Sequence, residues 1–154
     1  MNVEEKLAEL GLSLPQPPKP VAAYVPCVRS GNLIVVSGQL PMAAGQLLFR
    51  GRVPSIVDIE QATECARQCT LNALAILKHE LGGDWSKLSR VVRVGVFVQC
   101  DDGFGGQPQV ANGASDLLVA LLGDAGRHAR AAVGTNALPL DAPVEVEFLF
   151  EAAE

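Results

Sequence analysis

Between residues 58 and 81 the apolar positions recur every three or four residues. Ala62, Ala66, Cys69, Ala73, Ile76 and Leu77 form one stripe, which predicts an amphipathic helix stopped by Gly82-Gly83. The period then shortens to two. In "RVVRVGVFVQC" (90–100), Val92, Val94, Val96 and Val98 face one way, and Arg93, Gly95, Phe97 and Gln99 the other. A helical period returns after Pro108, with Val110, Ala114, Leu117, Leu118 and Leu121 as its buried stripe.

The flanks read as strands. Val25 to Arg29 and Leu33 to Gln39, with Ser-Gly-Asn between them, predict a hairpin, and Leu47 to Val53 a further short strand. At the far end, "HARAAVGTNALPLDAPVEVEF" (128–148) predicts two strands joined by a Pro-containing turn. The order β-β-(β)-α-β-α-β-β implies an α+β domain, a mixed sheet with two helices on one face. Residues 1–20, a short helix over 2–11 and a Pro-rich connector, read as an N-terminal extension packing on or beside a domain at 21–154.

This order assigns faces. Val144, Val146, Phe148 and Phe150 belong under the helices, leaving Glu145 and Glu147 on the other side. For the preceding strand we expect Ala131 and Val133 on the helix side, with Arg130 and Ala132 beside the glutamates. A half-polar face that also carries Phe97 suits a closed homo-oligomer.

Composition narrows the function. The chain has 154 residues, 49% hydrophobic and 19% charged. That predicts one folded domain whose core is Val, Leu, Ile and Ala, because aromatics are scarce. The net charge is −5 and the basic residues are scattered without a run, which argues against a nucleic-acid partner. No apolar run reaches the roughly 18–20 residues of a membrane span, and the start is charged where a signal peptide would be apolar. Cys27, Cys65, Cys69 and Cys100 have no framework spacing, so we expect reduced thiols and a cytoplasmic protein.

Few motifs carry chemistry. Cys65 and Cys69 stand one helical turn apart, but no second pair follows, so core thiols are the economical reading and no metal is expected. "DDGFGGQP" (101–108) is only a partial match to a phosphate loop and reads better as a loop rimming a pocket. Ser37 lies in "VSGQ", yet neither His79 nor His128 has an acid partner legible in sequence, so no serine triad is predicted. Arg130 remains. Either it forms a structural ion pair with Glu145 at a subunit contact, or its planar fork binds a substrate carboxylate.

Taken together, "AYVPCVRSGNLIVVSGQLP", "VVRVGVFVQ" and "HARAAVGTNALPLDAPVEVEF" resemble the Rid/YjgF family of enamine/imine deaminases, also labelled endoribonuclease L-PSP, from about Tyr24 to Glu151. The resemblance implies a chorismate-mutase-like subunit in a homotrimer with pockets between subunits. It implies that Arg130 binds the carboxylate of a 2-imino acid, which is hydrolysed to a 2-keto acid and ammonia. Tyr24, Ser37, Gly38, Asn112, Ala132 (through its backbone) and Glu145 match other pocket positions, with Glu145 and Tyr24 serving a water. Family members often have Cys where this chain has Ala132. No cofactor is implied. A non-catalytic trimer binding a small carboxylic acid, and an endoribonuclease or translation inhibitor, are the alternative readings.

Overall fold

The computed structural model describes residues 2–19 and 23–154. Its helices are α1 (Val3–Glu9), α2 (Ile59–Glu80) and α3 (Gln107–Leu122). Five strands form one sheet: β1 (Cys27–Ser30), β2 (Leu33–Gln39), β5 (Leu88–Gln99), β6 (Ala129–Thr135) and β7 (Val144–Ala152). Two very short strands, β3 (Met42–Ala43) and β4 (Gln46–Leu47), make a separate hairpin.

The sheet order is β1-β2-β7-β5-β6, antiparallel throughout except for the parallel β5–β6 pair. The mixed α+β fold expected from the chain is therefore present. No helix among the described residues is long and apolar enough to cross a membrane.

Each long helix forms where its sequence supplies both a stripe and a start. Asp58 accepts from the Gln61 backbone N–H at 2.7 Å, and the Gln61 side chain accepts from the Asp58 N–H at 3.1 Å. This capping box satisfies two otherwise orphaned donors of α2. Ala62, Cys65, Ala66, Cys69, Ala73 and Leu77 then pack without exposed surface against the sheet. In α3 a Cβ at Gly113 would collide with the Thr63 carbonyl of α2. Glycine there lets the two helices approach closely, which sets the position of neighbouring Asn112 and Ser115.

Two expectations need correcting. The strand expected over Leu47–Val53 is replaced by the β3–β4 hairpin, with Val53 making only an isolated bridge to Cys100. A bulge between Val91 and Arg93 takes Val92 out of register, so Val91, not Val92, pairs with Phe150 beneath the helices. Gln99 keeps the side of the sheet expected for it, in register with Thr135 two places beyond the Phe97–Val133 pair. It is buried, donating through Nε2 to Asp141 Oδ1 at 2.7 Å and accepting from the Leu138 N–H at 2.8 Å.

A third helix, α1, also joins the helical layer. Val3 and Leu7 are buried in the main core, Glu4 Oε1 meets Lys78 Nζ at 2.6 Å, and Trp85 Nε1 donates to Glu4 at 3.2 Å. These contacts hold the Glu4 carboxyl below its usual range, the Lys78 hydrogen bond contributing most.

Candidate active site

The largest correction concerns Arg130. Paired residues in a sheet share a face, and Arg130 pairs with Val94, which pairs with Phe148. Arg130 and Ala132 therefore lie on the helix side, whereas Ala131 and Val133 lie on the open face with Glu147 and Glu145. The short alanine-rich edge strand has small side chains on both faces, so its own pattern does not set its phase. A one-residue slip reverses every side chain.

This placement dissolves the expected Arg130–Glu145 pair within one chain and builds two separate clusters. The first lies at the β6 edge. Arg130 Nη1 donates to Asn112 Oδ1 at 2.8 Å and to Ser115 Oγ at 3.2 Å, both on α3. Ser115 Oγ in turn stands 2.8 Å from His128 Nε2. A cavity of about 360 Å³ is lined by Ser115, Val119, Arg127, His128 and Arg130.

The second cluster lies on the open face, two strands away. A Cβ at Gly38 would fall on the Glu145 carboxyl oxygen, so glycine is what leaves the carboxylate room over β2. Burial, with repulsion from Glu147 as the smaller cause, raises the Glu145 carboxyl above its ordinary value. Ser37, in the β2 bulge, donates through Oγ to the Val25 carbonyl at 2.9 Å and ties the lead into β1 to this cluster. Tyr24 is the residue before that carbonyl, and its side chain is 53% exposed.

Around Glu145 the open face is mixed. Phe97 and Val133 pair with one another in the same cross-strand row as Glu145. In another row Val28, Val35, Leu149 and Arg93 lie side by side. Arg93 Nη1 meets Glu147 Oε1 at 3.1 Å, a half-exposed pair of small energetic weight. Val28, Val35 and Val133 are each about half exposed, at 55%, 48% and 46%.

Other candidates fall away. Cys65 and Cys69 are fully buried, and burial pushes the Cys65 thiol up to about 12, so they pack as apolar groups. Among the described residues no group of three or more His, Cys, Asp or Glu is placed to hold a metal. A larger cavity of about 780 Å³, between α2 and α3, reaches the Arg130 cluster only through Asn112. Its lining sets Asp58, Glu60, Glu64 and Asp116 against the single cation Arg67, a balance of the wrong sign for a carboxylate ligand.

Sequence reasoning missed Ser115 and His128. Two spacings pointed to them: His128 and Arg130 are two apart on an extended segment, and Asn112 and Ser115 three apart on a helix, so each pair shares a face.

Comparison with known proteins identifies the chain's relatives. Residues 4–152 match the family model described as "YjgF/chorismate mutase-like, putative endoribonuclease". Protein TCP17 of Trypanosoma cruzi is 39% identical over 97% of this chain and 94% of its own length. The 2-iminobutanoate/2-iminopropanoate deaminase of Dermatophagoides farinae is 26% identical, covering 88% of this chain and 91% of that one. The crystal structure of Atu1372, a protein of unknown function from Agrobacterium tumefaciens, superposes with a TM-score of 0.90 at 45% identity. It covers 97% of this chain and 91% of its own. A family model spanning nearly the whole chain, together with these relatives, places this chain in the Rid/YjgF family.

Proposed function

We propose that the protein hydrolyses 2-imino acids and their enamine tautomers, such as 2-iminopropanoate and 2-aminoacrylate, to 2-keto acids and ammonia. The observation that carries this reading is Arg130. Its Nη1 is already occupied by Asn112 and Ser115, so the rest of the guanidinium is available as a fixed fork for a carboxylate.

The reaction also needs a base. Glu145, with its raised carboxyl, is suited to take a proton from water as that water attacks the C=N carbon. The protonated carboxyl returns that proton to nitrogen to give the carbinolamine, then takes the carbinol O–H proton and passes it to nitrogen as the C–N bond breaks, so that the keto group forms and ammonia leaves. No redox step is involved. Positioning supplies the acceleration, because the imine is already electrophilic.

Arg130 and Glu145 are on opposite faces of one subunit, so this chemistry requires the β6 edge of one copy to meet the open face of another. A homotrimer with pockets between subunits, as the family implies, satisfies that requirement, and the exposed valines favour such an assembly. The sequence relationship to the mite deaminase also favours the reaction.

The second reading is an endoribonuclease, supported by the family description. Folding does gather Arg90 and Arg127 near Arg130, with Arg90 Nη2 donating to the Arg127 carbonyl at 3.2 Å. Arg127 is partly answered by Asp124 at 3.4 Å, and Glu151 shares the adjoining cavity. The −5 net charge further favours the small-molecule reading.

The deciding experiment is ammonia release from 2-iminopropanoate generated in situ, run beside an RNA-cleavage assay on the same nuclease-free preparation. Imine hydrolysis above the spontaneous rate is expected. Salt-resistant RNA cleavage without ammonia release would reverse the order of the two readings.

A further inference from the structure

Arg130 is on an edge strand with an exposed side chain, and fixing such a side chain in one rotamer costs entropy. The fold has already ordered it. His128 Nδ1 stands 2.6 Å from the Gly126 carbonyl, which can only accept, so Nδ1 carries the proton of the neutral ring. His128 Nε2 is then an acceptor, and the Ser115 hydroxyl 2.8 Å away donates to it. That leaves the Ser115 lone pairs for Arg130 Nη1 at 3.2 Å, while Asn112 Oδ1 takes the other Nη1 hydrogen at 2.8 Å. Each link sets the direction of the next.

We propose that Ser115 and His128 are positioning residues of the carboxylate site. By holding Nη1, they turn the Nε–Nη2 edge of Arg130 outward for two parallel bonds to a carboxylate. This rests on the reading of Arg130 given above and extends it to two residues outside the expected set. A nucleophilic Ser115 fits the geometry less well, because Nη1 already occupies the oxygen that would have to attack.

The test uses the assembled full-length protein, with pyruvate as the carboxylate probe and in situ 2-iminopropanoate as substrate. Ser115→Ala and His128→Ala should each weaken pyruvate binding and raise KM about tenfold, with kcat falling less than about threefold. The double variant should be no worse than either single change, because both break one chain of bonds. His128→Gln should recover most of the affinity, its Oε1 accepting from Ser115 where Nε2 did.

Single variants with wild-type pyruvate affinity and KM overturn the proposal, as does a loss confined to kcat. Labelling of Ser115 by a fluorophosphonate overturns it too, making the pair a nucleophile and its base. If the wild-type protein binds pyruvate but releases no ammonia, the hydrolytic reading fails, while the pyruvate affinities still decide the positioning role. Without pyruvate binding by the wild type, both fall.

Discussion

Arg130 and Glu145 stand on opposite faces of the same sheet, in strands β6 and β7 with β5 between them. Two strand spacings, about 10 Å, and the thickness of the sheet separate their side chains. One subunit therefore presents an arginine at one edge and a carboxylate on the opposite face, too far apart to converge on one small substrate. The proposed hydrolysis accordingly calls for a second copy to supply the other half.

The first prediction is the assembly itself. Light scattering at micromolar concentration should give three times the 16.2 kDa chain mass. Val133 shares the open face with Glu145 and is half exposed, so Val133→Asp should yield a folded monomer without turnover. A wild-type monomer at that concentration would remove the shared pocket, and with it the hydrolytic mechanism.

Arg130→Lys keeps the charge and loses the fork. A lysine cannot bond Asn112 and Ser115 while also offering two parallel donors to a carboxylate. Turnover should fall at least about a hundredfold, and melting temperature should shift little because the side chain is exposed. Unchanged kinetics in a stable protein would exclude the carboxylate clamp.

Glu145 makes two predictions with opposite consequences. Its carboxyl is raised in the folded chain above the ordinary 4.5, so folding favours the protonated form. The associated stability is present in full below about pH 4 and is lost as pH rises through the raised value. Glu145→Gln, neutral at every pH, should melt higher than wild type at pH 8 and with it at pH 4. Turnover should do the reverse. It should fall in the wild type as acid protonates the base, and in the variant be about 10²–10⁴-fold lower than wild type at pH 8, the gap narrowing in acid. Melting curves and ammonia release measured across the same buffers check both.

Gly38→Ala should separate site geometry from folding. The added methyl would meet the Glu145 carboxyl, the mobile end of a side chain, so the backbone need not move. We expect a folded protein with at least about tenfold lower kcat and nearly unchanged pyruvate affinity. A wild-type kcat would show that the position of Glu145 over Gly38 does not matter to catalysis.

Much of this was legible in the chain because neighbouring residues decide it. The stripe from Ala62 to Leu77 predicts α2, and the alternation from Val144 to Phe150 predicts β7 and its buried face, since each signal lies within one element. The Leu33–Gln39 strand appears with the bounds expected for it. The Rid/YjgF resemblance rests on residue identities in the same sense, and from it Arg130, Asn112, Gly38 and Glu145 are expected as pocket positions.

What the sequence could not decide was phase and partnership. The bulge at Val92 comes from pairing across β5 and β7, and the face taken by Arg130 comes from the parallel register with β5. Neither is encoded in the short strand "ARAAVGT", whose two faces are almost equally small. Ser115 and His128 are thirteen residues apart, and only the packing of α3 beside the β6 edge brings a hydroxyl to an imidazole and both to Arg130. Sequence by itself determined which chemical groups the chain owns and the period of each element. Tertiary structure alone decided which groups meet, because register and packing are energies of contact between segments, and those contacts exist only once the segments have come together.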